Sequence, residues 1–410
     1  MNKISIQQGI GTLVNHVAEG EDPLHATTTP IYQTSTFSFP DVAAAAAAFR
    51  GEQKAYIYTR YDNPNANQLV RKYAVLEGLD LMRARPEVPA EDLVDGHLFA
   101  SGMAAATTAI LARVKGGETI IAQESLYSAC YNFLHDVAPR YGIQVVWLQN
   151  TDALSWEAAF DQQTNAVLAY LETPANPAMA VVDIAAVAEI AHAHHAWLMV
   201  DNTFATPFCQ RPLTLGADVI IHSTTKFLAG HGLLIGGAVI STQTSYVRNE
   251  LFSLLKIMGG TPSPFDAWLA NTGLKTFELR MQRHCDNAAV IARQLEAHPG
   301  VARVFYPGLE SHPQHAIARK QMSTFGGMVS FELKGGLEAG ARMMGAVRLA
   351  TLAPTLGNTD TLVQHPASMS HSAVARETRL KMGITDGLVR LSVGIENVED
   401  ILADLEQAMV

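Results

Sequence analysis

At 410 residues the chain is longer than one ordinary domain and long enough to bury a large core, so two domains are expected. With 48% hydrophobic and 17% charged residues it cannot be mainly disordered, and a formal net charge of −10 without a Lys/Arg-rich block argues against nucleic acid as a partner. Residues 1–8 contain no signal-peptide-like apolar core and no run of about 18 apolar residues occurs, so a cytoplasmic protein without a membrane partner is expected.

Residues 1–62 lack strong periodicity and are expected to pack on another surface, with a short helix over the alanine tract 43–48. A helix is expected from Asn65 to Leu76, with Gly78 as its C-cap, followed by a polar surface excursion or inserted loop over 82–96 that contains Pro86 and Pro89. Apolar runs then recur at about 97–100, 119–122, 143–148, 165–171, 196–200, 217–221 and 236–240, mostly separated by helix-length gaps. Strands alternating with helices predict an α/β large domain over 63–260, built on a mainly parallel seven-stranded sheet. From 261 to 410 the pattern changes. A long helical stretch over 264–298, possibly broken, leads to strands at 304–306, 328–331 and 388–393 and helices at 337–347 and 398–409, which predicts a smaller α+β C-terminal domain. The three cysteines, Cys130, Cys209 and Cys285, are too few and too scattered for a disulfide framework or a zinc site, and no metal is expected.

The chemistry gathers at strand ends. Phe99-Ala100-Ser101-Gly102-Met103 reads as strand, tight turn and helix start, and the unpaired N–H groups of a helix start suit a phosphate; many such turns are small for packing alone. Tyr127 follows the 119–122 run, and Asn176 lies in Glu172-Thr173-Pro174-Ala175-Asn176-Pro177 past another. The first could stack on a planar ring or simply pack, and the second could bond a phenolic oxygen or simply turn the chain. Asp201 leaves the 196–200 run, and 25 residues later Ser223-Thr224-Thr225-Lys226 leaves the 217–221 run. In open α/β sheets ligands bind at that carboxyl edge. A lysine after a strand is ordinarily solvated. Beside an aspartate able to hold a protonated ring nitrogen, and with the hydroxyls of Ser223 and Thr225 nearby, Lys226 instead suits a Schiff base with pyridoxal 5'-phosphate (PLP).

In order, Ser-Gly-Met, Leu-Tyr, Glu-Thr-Pro-Ala-Asn-Pro, Val-Asp-Asn-Thr and His-Ser-Thr-Thr-Lys resemble the Cys/Met-metabolism (transsulfuration) family of PLP enzymes, and the resemblance runs from Thr29-Pro30-Ile31-Tyr32-Gln33 to Leu391-Ser392-Val393-Gly394-Ile395-Glu396. It implies the PLP-dependent transferase fold, fold type I and aspartate aminotransferase-like. Lys226 becomes the Schiff-base lysine and general acid/base. Asp201 becomes the partner of the ring nitrogen, and Tyr127 stacks on the ring and assists proton transfer. Ser101, Gly102, Met103, Ser223 and Thr225 are placed at the phosphate, Asn176 at cofactor and substrate, and Arg390 at the substrate carboxylate, a task suited to a planar bidentate donor. Thr355 stands where the family usually has serine. Tyr58 and Arg60, in the 1–62 arm, would reach the phosphate of a neighbouring subunit, which makes a homodimer the minimal active unit and a homotetramer the expected assembly.

The resemblance leaves the reaction open. Gln364-His365-Pro366-Ala367-Ser368-Met369-Ser370-His371 and Gly387-Leu388-Val389-Arg390-Leu391-Ser392-Val393-Gly394 are most similar to methionine γ-lyases. Ala129 and Leu233 occupy positions where those lyases typically carry cysteine and aspartate, and Gly230-His231-Gly232-Leu233-Leu234-Ile235-Gly236-Gly237 looks more like the sulfhydrylases; Pro354 sits at a position linked to reaction choice. The favoured expectation is a carbon–sulfur lyase that turns methionine into 2-oxobutyrate, methanethiol and ammonia. O-Acetyl- or O-succinylhomoserine sulfhydrylase, cystathionine γ-synthase and cystathionine γ-lyase are the alternatives, with a non-catalytic PLP-binding protein behind them.

Overall fold

The computed structural model describes residues 4–370, 372, 376–381 and 383–409, so His371 of the 364–371 motif lies outside the described residues. Seven strands form the first sheet: β1 (Asp95–Phe99), β2 (Thr119–Gln123), β3 (Gln144–Leu148), β4 (Ala166–Glu172), β5 (Trp197–Asp201), β6 (Val219–Ser223) and β7 (Gly237–Ser241), in the order β1-β7-β6-β5-β4-β2-β3. Only β7 runs against its neighbours. Every expected apolar run is a strand.

Alternate residues of these strands enter two separate cores. Ile120, Ala122, Leu168, Tyr170 and Met199 pack on one face, and Ile121, Ala169, Leu171, Leu198 and Val200 on the other. Burial on both faces is what turns a parallel strand into a continuous apolar run instead of an alternating one. Helices cover both faces. The Pro64–Glu77 helix starts where Asn63 accepts a hydrogen bond from the Asn65 N–H and proline occupies the first turn. It ends at Gly78, whose φ of −88° is not left-handed. Space requires glycine there, since a Cβ would lie 2.6 Å from Val94 Cγ2.

The 82–96 segment is a surface excursion through its middle, where Arg85, Pro86, Glu87, Pro89, Glu91 and Asp92 are exposed, but it is not a loop throughout. A helix over Leu79–Ala84 continues from Gly78, a four-residue helix covers Ala90–Leu93, and β1 begins at Asp95. Its ends, through Met82, Leu93 and Val94, are buried in the first core. The 264–298 stretch is two helices, Pro264–Leu274 and Phe277–Ala297, broken at Lys275-Thr276.

The second sheet holds β8 (Val301–Phe305), β9 (Met328–Leu333), β10 (Thr351–Leu352), β11 (Leu362–Gln364) and β12 (Leu388–Ser392), in the order β10-β11-β12-β9-β8. It packs through Val329, Phe331, Val389 and Leu391 on the C-terminal Val398–Ala408 helix, represented in that core by Ile401 and Leu405. Its centre, β9 and β12, projects Ser330 and Arg390 as register partners. The Ser330 hydroxyl donates to the Pro177 carbonyl at 2.6 Å, tying this sheet to the loop that leaves β4. The N-terminal stretch contributes the Ile10–His16 and Val42–Phe49 helices, and Leu24, Val42 and Phe49 remain exposed. Cys209 and Cys285, far apart in sequence, come together with their sulfurs 3.7 Å apart, and all three cysteines are free thiols. Among the described residues no helix is long and apolar enough to cross a membrane.

Candidate active site

A cavity of about 300 Å3 opens at the carboxyl edge of β4, β5 and β6, closed on its far side by residues of the second sheet. The parallel sheet builds it, because strands running the same way end at one edge. Lys226 follows β6 in a turn where its N–H bonds the Ser223 carbonyl at 3.2 Å, and its amine donates to Thr355 Oγ1 at 2.8 Å. Burial, joined by the nearby Arg390 charge, lowers the lysine to about 8. The loop carrying Thr355 is pressed onto this turn: Gly357 has φ +81°, and a Cβ there would lie 2.5 Å from the Phe227 nitrogen.

Asp201 closes β5. Its Oδ1 accepts the Thr203 N–H at 2.9 Å, and among the described residues no cation pairs with it. Burial raises its carboxyl, opposed by Thr203 and by the charge of His222. His222 itself points away to Glu77, at 2.5 Å, and Asn202 donates to that same Glu77 oxygen at 2.9 Å. This is a buried polar support behind the edge.

The Gly102–Arg113 helix starts at the cavity wall. Ser101 Oγ accepts the Ala104 N–H at 3.0 Å, so Ser101 is the N-cap. The N–H groups of Gly102 and Met103 fall in the first turn, where no helical carbonyl reaches them. A Cβ on Gly102 would lie 2.8 Å from Ser223 Cβ, so glycine alone lets the helix start approach the end of β6. Ser223 lines the cavity, as does Thr225, whose hydroxyl donates to the Gly236 carbonyl at 3.3 Å and accepts its N–H at 3.0 Å.

Tyr127 stands half exposed at the cavity wall, and Asn176 Oδ1 accepts from Arg390 Nη1 at 2.9 Å. Arg390 is buried on β12, gives Nη2 to the Thr355 carbonyl at 3.1 Å, and pairs with no carboxylate among the described residues. Burial lowers its guanidinium to about 10. Lys226, Tyr127, Asp201, Ser101, Gly102, Met103, Asn176, Ser223, Thr225 and Arg390 thus line one cavity, with Thr355 touching it through the lysine. Tyr58 and Arg60 do not reach it. Arg60 stacks beside Tyr58 and Tyr61 and donates to the Lys256 carbonyl.

Sequence reasoning gave no role to Glu172, which ends β4 beside Asp201, or to Phe204, Ile235 and Leu356, which form an apolar wall with Pro354. Glu172 carried a signal, an acid closing an apolar run as Asp201 does. Apart from Pro354 the wall carried none.

An amine of lowered basicity, a buried carboxylate without a counter-ion and a helix start beside a free-standing serine define a site for a phosphorylated aldehyde with a basic ring nitrogen. The donor set fits PLP. Residues 11–410 match the model of the family described as Cys/Met metabolism PLP-dependent enzyme, and the chain belongs to that family. It has the type I fold of PLP enzymes and uses PLP. It is 44% identical to an L-methionine gamma-lyase of Porphyromonas gingivalis over 98% of both chains. It is 40% identical to an O-succinylhomoserine sulfhydrylase of Pseudomonas aeruginosa, over 92% of this chain and 90% of that one. Among solved structures, metB from Corynebacterium glutamicum superposes with a TM-score of 0.89 at 37% identity, covering 99% of each chain.

Proposed function

We propose that the chain is a methionine γ-lyase, cleaving L-methionine to 2-oxobutyrate, methanethiol and ammonia. The observation that carries this reading is the cavity's lining. It joins the amine of Lys226 and the guanidinium of Arg390, which pairs with no carboxylate among the described residues and suits an α-amino acid, to the apolar side chains of Phe204, Ile235, Pro354 and Leu356, which suit an uncharged thioether. The likeness to methionine γ-lyases over nearly the full length supports it.

PLP, when bound, supplies an aldehyde for the amino group and an electron-withdrawing ring that acidifies the neighbouring carbons. Lys226 would hold it at rest and would carry protons at the substrate Cα and beyond. A value near 8 leaves a useful neutral fraction for that work. Asp201 keeps the ring nitrogen protonated, Gly102, Met103, Ser223 and Thr225 hold the phosphate with Ser101 capping the helix, and Tyr127 covers the ring. Arg390 and Asn176 seat the carboxylate, and Thr355 steadies the lysine. The stretch 1–62 serves as an arm whose Tyr58 and Arg60 complete a second subunit's site. That role accounts for their distance from their own cavity and for the exposed Leu24, Val42 and Phe49, and makes the dimer the active unit within a tetramer.

The sulfhydrylase reading keeps one specific support, Ala129 and the exposed Leu233 at positions where methionine γ-lyases typically carry cysteine and aspartate. Incubation of the purified protein with methionine, assaying 2-oxobutyrate and methanethiol, decides between them. No product from methionine, with turnover of O-acetylhomoserine plus a thiol, would overturn the lyase. Lys226→Ala is expected to lose the visible absorbance of the lysine-bound cofactor and nearly all turnover.

A further inference from the structure

Glu172 is a buried acid in an unfavourable place. It is 6% exposed and is the register partner of Asp201 across the β4–β5 ladder, and among the described residues no cation pairs with it. Burial, aggravated by Asp201, pushes its carboxyl up to about 8. A side chain present only to fill this position would be cheaper as an apolar or amide residue.

What the carboxylate does is accept backbone donors from two loops. Its Oε1 takes the Tyr127 N–H at 2.6 Å, and the nearby Asn176 N–H favours the charged form of the same carboxylate. The neighbouring main chain reinforces the first of these ties. The Gln123 amide, at the end of β2, donates both to the Glu172 carbonyl at 3.1 Å and to the Ser125 carbonyl at 2.5 Å, within the turn that presents Tyr127. Asn176 in turn carries the oxygen that receives Arg390 Nη1. One carboxylate therefore stands between the strand edge and two loops, one bearing the ring-covering tyrosine and the other the amide that seats the arginine.

We infer that Glu172 is a positioning residue: it clamps Tyr127 and Asn176 to the sheet edge through their backbone N–H groups, and so sets the placement of the cofactor-facing ring and of Arg390. A carboxylate suits this task because both of its oxygens accept, whereas an amide offers one acceptor and turns its NH2 toward the other N–H. The inference rests on the reading of Tyr127 and Asn176 as cofactor- and substrate-facing residues. It does not depend on which γ-substituent leaves.

Amide hydrogen exchange on the full-length, cofactor-free chain tests the clamp without turnover, so its failure is separate from any failure to cleave methionine. In the wild type, the Tyr127 and Asn176 amides are expected to be protected although both lie outside strands. In Glu172→Gln at least one should exchange roughly 10- to 100-fold faster, with the strands unchanged, because a charge-assisted bond is lost. Titration of PLP into that variant should show roughly tenfold weaker binding, and the visible circular dichroism per bound cofactor should fall, a signature that a merely structural role would not move. Free exchange at both amides in the wild type overturns the inference, even if the variant fails to fold. Unchanged exchange and cofactor binding in a folded Glu172→Gln also overturn it.

Discussion

Replacing Arg390 by lysine keeps the charge and removes the fork. In the structure the guanidinium spends Nη1 on Asn176 Oδ1 at 2.9 Å and Nη2 on the Thr355 carbonyl at 3.1 Å, so its two arms are fixed before any substrate arrives. A lysine has one nitrogen and cannot serve both partners and a carboxylate in one plane. Leaving a buried acceptor unpaired costs about 1–3 kcal/mol, and a two-point carboxylate contact becomes a single one. A total of about 3 kcal/mol corresponds to roughly a 100-fold loss of affinity for methionine. The assay is titration of the holoenzyme with methionine and with 3-(methylthio)propylamine, the same molecule without its carboxylate, followed by the change in cofactor absorbance. Arg390→Lys should weaken methionine about 100-fold and the amine by less than about threefold. If both ligands weaken equally, Arg390 acts on the shape of the site and not on the carboxylate. If neither weakens, the assignment fails.

Gly357→Ala should damage the lysine from behind. At φ +81° an alanine is strained by about 1–2 kcal/mol, and its Cβ would lie 2.5 Å from the Phe227 nitrogen and 2.9 Å from the Lys226 carbonyl carbon. Melting should fall by several degrees and kcat should drop as the Thr355 loop lifts from Lys226; a variant with wild-type melting and kcat would show that the loop is not pressed there. Glu172 and Asp201 both have folded values above their unfolded ones, so through them the folded state binds more protons, and the stability they contribute below about pH 4.5 is lost on approach to the Glu172 value of about 8. Burial lowers His97, His284, His312 and His365, which work the other way, adding stability as pH rises toward the unfolded histidine value. The carboxyl contribution is therefore read as a difference between two proteins: from pH 5.5 to 8, the cofactor-free wild type should lose on the order of a few kcal/mol of stability to urea relative to Glu172→Gln. The same pH dependence in both would contradict the buried Glu172 carboxyl. Lys226, lowered to about 8, works in the opposite sense only above that pH.

The inner strands of the first sheet were legible because they are buried on both faces, which leaves little that is polar to interrupt the run, while the edge strand β3 is only partly buried and kept its apolar run Val145–Leu148. The break at Lys275-Thr276 falls within the stretch read as a long, possibly broken helix. What escaped was either short or masked by a stronger local signal. β10 and β11 have two and three residues, too few for any period to register, and exist because β12 offers an edge to β11 and β11 offers one to β10. The Leu79–Ala84 and Ala90–Leu93 helices were hidden by Pro86 and Pro89, which describe only the link between them, while burial of Met82, Leu93 and Val94 is a tertiary matter. Cys209 and Cys285 meet because the Phe277–Ala297 helix and the short Thr206–Cys209 helix share one core, which no spacing of 76 residues reveals.

Each catalytic signal was weak by itself, since a lysine, an aspartate, a small-residue turn and a tyrosine after strands all have ordinary uses. The parallel sheet makes them strong together, because it sends residues separated by more than a hundred positions to one edge. That multiplication works only for residues anchored to strand ends. Arg390 was placed by the resemblance, and its apolar flanks Leu388, Val389 and Leu391 agree with the central strand on which it lies. Glu172 obeyed the same rule as Asp201, so a positional argument existed for it, although it was given no role. Ile235 and Leu356 had no such argument available. A side chain that shapes the far wall of a cavity has the same chemistry as one that fills a core, and the two differ only in whether another element arrives to cover it. That is why roles at Cα can be proposed residue by residue while selection of the γ-substituent has to be measured.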